Sequence, residues 1–275
     1  MKKIIFLFGL MVLPIAFLSC SSNNDEENVK EINVGVSIPE KVYSNVPFWI
    51  EASPSDIVDK VTFYIDGIEQ GSVISKPYRW QVTTTSLDPG THKVTAIADI
   101  SSSKAKGETT FLMVVRLGDT YQGGNVFYLD SSGMHGLIAA DSDLKSNNEF
   151  CLDGFSWGAY GTVGTSKNDG KANTALMAAR STDPMQAGYA FKGSGLNMNG
   201  YSDWYIPSID ELELLKENIQ YAKNFSSTSG DNWRNYYWSS SENGDEKAFC
   251  VNMFALAGNS MAREYSRNVR PIRKF

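Results

Sequence analysis

The stretch Tyr236–Phe275, YYWSSSENGDEKAFCVNMFALAGNSMAREYSRNVRPIRKF, decides how the C-terminal half of this chain is read. It opens on three aromatic residues, Tyr236, Tyr237 and Trp238, and closes on arginines at 263, 267, 270 and 273. It reads as three strands that end at the last residue. Immediately upstream stands GYSDWYIPSIDELELL, Gly200–Leu215. Here Tyr205-Ile206-Pro207-Ser208 is a strand-to-helix junction, because Pro fixes φ and the next residue caps. Ser208 with Glu211 forms a capping box, and Ile209, Leu212, Leu215 and Ile219 continue it as one apolar stripe. A helix is expected over 208–222. Asp210, Glu211 and Glu213 in its first turn complement the helix dipole, a structural reason for three carboxylates.

Working outward, Gly124–Ala140 reads as a β-hairpin around the turn Asp130-Ser131-Ser132-Gly133. A long Gly/Ser/Asn/Asp-rich loop, 141–165, carries Trp157 and Tyr160. Residues 170–180 have helical character, with Ala172, Ala175, Leu176 and Ala179 on the apolar face. From Glu31 to Arg116 the period changes to two: Ile32, Val34, Val36 and Ile38, then Val61, Phe63 and Ile65, then Val94, Ala96 and Ala98. With turn signals every ~8–12 positions this predicts an all-β antiparallel sandwich over 32–116. It has no cysteine, so Trp49 or Trp80 is expected to fill the space that an inter-sheet disulfide would take. His92 is expected at the surface, at a strand start. The segment Val61–Ala98 resembles the bacterial immunoglobulin-like domains of surface proteins, which implies a spacer.

Met1-Lys2-Lys3, the apolar run Ile4–Leu18 and Ser19-Cys20 form a signal segment too short to span a bilayer. Leu18-Ser19-Cys20 resembles the lipobox of bacterial lipoproteins, which implies cleavage after residue 19, lipidation of Cys20 and anchoring in the outer membrane. Residues 20–31 then form a flexible polar tether, whose acidic run resembles the export tags of surface-exposed lipoproteins. The chain carries a formal charge of −6. Its acidity is spread over both halves, which excludes a nucleic-acid partner, since such a partner requires a basic footprint.

Over 117–275 four ordered motifs stand out: Gly170-Lys171-Ala172-Asn173-Thr174, the Gly200–Leu215 run with Trp204 and Pro207, Trp238-Ser239-Ser240-Ser241-Glu242, and Val269-Arg270-Pro271-Ile272-Arg273. Together they resemble the Lcl C-terminal domain, a domain-of-unknown-function family, and are similar to the major paralogous domain of surface lipoproteins. The resemblance implies a C-type-lectin-like α+β fold with two helices and a curled antiparallel sheet. Some relatives adhere to sulfated polysaccharide. Asn173, Trp204, Pro207, Trp238, Glu242 and Arg270 are carried over as structural motif residues, with Glu242 expected to pair with Arg270 or Arg273. In an oxidising compartment Cys151 and Cys250 either form one disulfide or remain two buried thiols.

No G-x-S-x-G, H-E-x-x-H, C-x-x-C or P-loop string occurs. The two histidines, His92 and His135, fall in different domains, so an enzyme is not expected. Asn197, Asn199 and Asp203 offer oxygens to calcium, but the Glu-Pro-Asn and Trp-Asn-Asp motifs of calcium-dependent lectins are missing, and no cofactor is expected. The remaining signal is aromatic and cationic. Trp157, Tyr160, Trp233, Arg234, Tyr236, Arg263 and Arg267 are candidate ligand-binding residues, because aromatic faces stack on sugars and Arg forks grip anions. The expected function is a cell-surface adhesion or carbohydrate-binding module on an immunoglobulin-like stalk, its ligand a glycan or a surface protein. The alternative is an accessory subunit of a surface assembly.

Overall fold

The structure, a computed structural model, describes residues 31–275 except 84–86, 102, 146–153, 159–160, 162, 226–232 and 256–257. The signal segment, Cys20, nearly all of the tether, Cys151 and Tyr160 lie outside the described residues.

The N-terminal strands form two sheets. One holds β1 (Val34–Ser37), β3 (Phe48–Pro54) and β6 (Arg79–Val82), in the order β1-β3-β6. The other holds β2 (Lys41–Tyr43), β8 (Ser103–Val114), β7 (Gly90–Ile100), β4 (Lys60–Ile65) and β5 (Ile68–Val73), in the order β2-β8-β7-β4-β5. The period of two turns Ile50, Phe63, Val94, Ala96, Phe111 and Met113 into a common core. One edge pair departs from the antiparallel expectation: β2 runs parallel to β8, from Lys41↔Leu112 to Tyr43↔Val114.

Of the two tryptophans expected for the inter-sheet space, Trp80 packs against the core, and strand parity rules out Trp49. Its neighbours Phe48 and Ile50 are buried, so Trp49 falls on the outer face, 45% exposed. Trp80 packs against Gly71, where an added Cβ would come within 2.3 Å of the indole. His92 is not a loose surface residue. Its Nδ1 lies 2.6 Å from an Asp66 carboxylate oxygen, its Nε2 lies 2.8 Å from the Asp88 carbonyl, and its ring stacks on Phe111.

The C-terminal strands form two further sheets. β9 (Thr120–Tyr121), β10 (Gly124–Leu129), β11 (Gly136–Ala140) and β15 (Ile272–Lys274) follow the order β15-β11-β10-β9. β12 (Tyr236–Glu242), β13 (Lys247–Asn252) and β14 (Gly258–Ala262) follow in sequence order. The tail therefore holds four strands, and the last leaves the others to pair with β11, Ile138 facing Arg273. Its sequence gives no sign of this, because the partner lies at the opposite end of the domain. The Gly124–Ala140 hairpin forms as expected.

Helix α1 covers Gly170–Arg180, as expected, but its buried face is a correction. Asn173, Thr174, Met177 and Ala178 are buried, while Ala172, Ala175, Leu176 and Ala179 face solvent. Polar residues point inward because they have bonds to make there. The Asn173 amide joins Ser166 and Ser240, and the Thr174 hydroxyl donates to the Gly170 carbonyl and accepts from Ile206 N–H. Helix α2, Ile209–Glu217, is capped by Ser208 with both bonds of the capping box, and a 3₁₀ turn, Ile219–Tyr221, finishes the expected span.

The joint between the two halves is polar and specific. Tyr121 donates from its hydroxyl to Asp88, Gln122 donates to the same carboxylate, and Asn45 donates to the Thr120 carbonyl. Arg116 lies 4.3 Å over the Tyr43 ring. Ile32–Phe275 packs as one unit.

Candidate functional site

The C-terminal arginines organise the second domain, and three of them do so as internal struts. Arg263 is fully buried. It donates to Glu242 at 3.2 Å and to the carbonyls of Lys247, Gly161 and Gly244, and it lies 4.5 Å over the Trp157 ring. Arg270, also buried, pairs with Asp143 and donates to the carbonyls of Ala140, Lys223 and Asn224. Arg273 forks onto both oxygens of Asp203, at 2.7 and 2.9 Å, and reaches Gln122. A planar guanidinium with five donors can bind one carboxylate and several loop carbonyls at once, which suits it to this task.

Glu242 is therefore corrected in its partner: the arginine is Arg263, not Arg270 or Arg273. Glu242 at the end of β12 and Arg263 just past β14 lie at the same end of their sheet, on either side of the start of β13, whereas Arg270 is held by Asp143 and Arg273 by Asp203. Burial alone would raise the Glu242 pKa. Backbone N–H groups of Val163, Gly164 and Thr165, together with Arg263, more than offset that and hold it below its ordinary value. Asp203, likewise raised by burial, is lowered by Arg273.

The other motif residues serve the same interior. Trp238 is buried and donates from Nε1 to the Phe155 carbonyl at 2.8 Å. Trp204 donates to the Met198 carbonyl, and the Pro207 carbonyl accepts from Ser240 N–H at 2.7 Å. Asn173 bridges α1 to β12 through Ser240.

Of the candidate ligand-binding residues, two aromatics and one arginine lie in the interior, out of reach of a ligand. Trp157, Tyr236 and Arg263 are all buried. Trp157 spends its N–H on the Ser239 carbonyl at 2.7 Å, so it is a core residue reached through an irregular loop. The side chain of Trp233 and all of Tyr160 lie outside what is described, and the disulfide question lies there too because of Cys151. Burial pushes the Cys250 thiol up to about 12, so it stays protonated and is a poor nucleophile.

Arg267 differs from the three struts. Among the described residues no carboxylate pairs with it. Its guanidinium donates to Met261 Sδ and to the Ser266 carbonyl, and lies 5.3 Å from the Tyr265 ring and 5.7 Å from Tyr236. Its backbone is fixed against Phe155, and an added Cβ on Gly154 would meet the Arg267 carbonyl at 2.4 Å. Tyr265 is 53% exposed, and Arg234 is exposed on the short turn Trp233–Asn235, tied in by Asn268 donating to its carbonyl. Tyr265 escaped the sequence reading because it lies in a run of polar residues with no local pattern. Its significance comes only from standing against Arg267.

His135 is exposed beside the β10–β11 turn and makes no side-chain hydrogen bond among the described residues. No group of three or more His, Cys, Asp or Glu side chains suited to a metal ion occurs among the described residues. Of the calcium candidates, Asp203 is engaged by Arg273, and Asn199 donates its amide to the Gly123 carbonyl.

Residues 39–96 match the family profile of the bacterial Ig domain, and residues 154–273 match that of the Lcl C-terminal domain. No curated protein matches the chain. Among solved structures, fibronectin(III)-like modules of CbhA from Clostridium thermocellum are 23% identical, covering 29% of this chain and 93% of theirs at a TM-score of 0.26. The CARDB domain of a Pyrococcus furiosus protein is 18% identical over 31% of this chain and 94% of its own, with a TM-score of 0.24. Beta-glucuronidase 3 of Bacteroides uniformis is 16% identical over 40% of this chain, but only 15% of that enzyme is covered, with a TM-score of 0.26. The pairing of the two matched modules suggests a surface-associated protein. The chain carries a bacterial Ig domain followed by an Lcl C-terminal domain.

Proposed function

We propose that this chain is a lipid-anchored protein of the outer-membrane surface whose C-terminal domain, of C-type-lectin-like build, binds a glycan without catalysis. Cys20 carries the anchor, and the immunoglobulin-like domain holds the binding module away from the membrane. The observation that supports binding is Arg267: a cation without a carboxylate among the described residues, set between Tyr236 and the exposed Tyr265. An aromatic plate beside a guanidinium that no described carboxylate neutralises, its donors held only by a thioether and one carbonyl, can stack on a sugar ring and grip its hydroxyl or acidic groups. The other arginines of the tail are already consumed by Glu242, Asp143 and Asp203.

A glycan array probed with the purified chain tests this. Binding is expected, and it should fall about tenfold or more in Arg267→Ala and in Tyr265→Ala. Silence across all glycan classes, with capture of one stoichiometric envelope protein, would favour the accessory-subunit reading. Metabolic labelling with a fatty acid tests the anchor: the label should enter the wild-type chain and be lost in Cys20→Ala.

A further inference from the structure

The outer face of the three-stranded sheet has a chemistry that a spacer does not need. Strand parity sends Trp49 and Glu51 of β3, and Arg79 and Gln81 of β6, to the solvent side. The pairs Trp49↔Gln81 and Glu51↔Arg79 set these four as a square. Directly opposed Glu and Arg on neighbouring strands ordinarily form an ion pair. Here Arg79 instead lies 4.7 Å over the Trp49 ring, bracing the indole while it remains 45% exposed. Among the described residues the side-chain polar groups of Glu51, Arg79 and Gln81 make no hydrogen bond. Beyond Trp49 and Glu51 the neighbouring strand β1 offers only Gly35 and Ser37, so nothing tall interrupts the surface.

The platform continues into a cavity. Just before the start of β6 a cleft of about 400 Å³ opens between Glu51, Ser53 and Pro54 on one side and Lys76, Pro77 and Tyr78 on the other. That volume lies in the range of small-ligand sites. Glu51 stands at the boundary, at once a neighbour of the indole and a wall of the cleft. A flat aromatic face, unspent donors on one flank and an unpaired acceptor at the cleft mouth together match the alternating apolar faces and hydroxyl rims of pyranose rings. The carboxylate of Glu51 accepts hydroxyl hydrogens, and with Arg79 opposite it and Lys76 in the cleft wall the patch carries both signs of charge, which suits a rim of hydroxyls better than a ligand of one charge.

We propose that Trp49, Arg79, Gln81 and Glu51 form a second saccharide platform, on the immunoglobulin-like domain, for an uncharged hexose polymer. One ring stacks on the indole and the next enters the cleft beside Lys76. The stalk thereby becomes a binding module in its own right, separate from the Arg267 cluster.

Affinity electrophoresis of the full chain through gels containing mixed-linkage β-glucan, galactomannan or dextran, with alginate as the uronate polymer, tests this. Retardation by at least one neutral polymer is expected, reduced about tenfold or more in Trp49→Ala. The loss caused by Trp49→Ala is measured both in the wild-type chain and in the Arg267→Ala background and should be the same in both, so the two binding readings fail separately. Should Trp49→Ala melt at a lower temperature than wild type, Gln81→Ala and Arg79→Ala provide the measurement, each expected to weaken retention. Absence of retardation by every neutral polymer, retention unaffected by these variants, or retention by alginate alone would overturn the proposal.

Discussion

At the scale of single residues, the arginines of the tail show how one side-chain type serves two ends. A buried guanidinium is tolerated only when its charge is paired and its donors are engaged, and Glu242 and three carbonyls take four of the five N–H groups of Arg263. Removing one partner leaves the other buried and unpaired. Glu242→Ala is therefore expected to destabilise the domain by about 3–5 kcal/mol in urea unfolding. Glu242 also sets a pH dependence. Its folded pKa is held below the ordinary 4.5, so its contribution is fully present above that value and is lost as pH falls through the folded value. Stability measured against pH should decline on the acid side, and Glu242→Gln should flatten that limb while lowering stability at neutral pH. The sequence made clear that Glu242 would need an arginine. It pointed to Arg270 or Arg273 and missed Arg263, because the choice is made by which loops each arginine reaches.

At the scale of elements, the Gly170–Thr174 motif and the helix-start motif are two sides of one contact. Glu211, the acidic member of the capping box, accepts from Ser208 N–H, Gly170 N–H and the Tyr205 hydroxyl, so it ties α1, α2 and the strand-to-helix junction together. Ser208→Ala should cost about 1 kcal/mol, as a lost cap does. Glu211→Ala should cost more in the same urea titration, because three further donors lose their acceptor. Gly170 opens the motif for a reason of space. A Cβ there would lie 2.6 Å from both the Ile206 carbonyl and Ser208 N–H. Gly170→Ala is thus expected to destabilise by about 1–3 kcal/mol through overpacking, despite the better helix propensity of alanine. The limits of α1 were legible because helix propensity and flanking residues are local. Its buried face was not, since apolar periodicity assumes an apolar neighbour, and here the neighbour is a ladder of serine hydroxyls and backbone groups.

At the scale of the whole molecule, the joint near Asp88 links the two domains through Tyr121 and Gln122, and Gln122 in turn accepts from Arg273 at the end of the chain. Calorimetry of the wild-type chain should give one cooperative transition. The double variant Asp88→Ala, Tyr121→Phe should split it into two, whereas two transitions in the wild type would show that the joint is energetically slight. The sequence by itself determined the change of period between the halves, the β-hairpin, both helix spans and the identity of both modules. All of these rest on chemistry between residues close along the chain, or on ordered motifs. Only the tertiary structure decided that Trp157 and Arg263 are interior, that Arg267 lacks a carboxylate among the described residues, and that β15 returns to β11. Those outcomes depend on contacts between residues up to half the chain apart, where burial and partner choice are set by which surfaces the folded chain brings together.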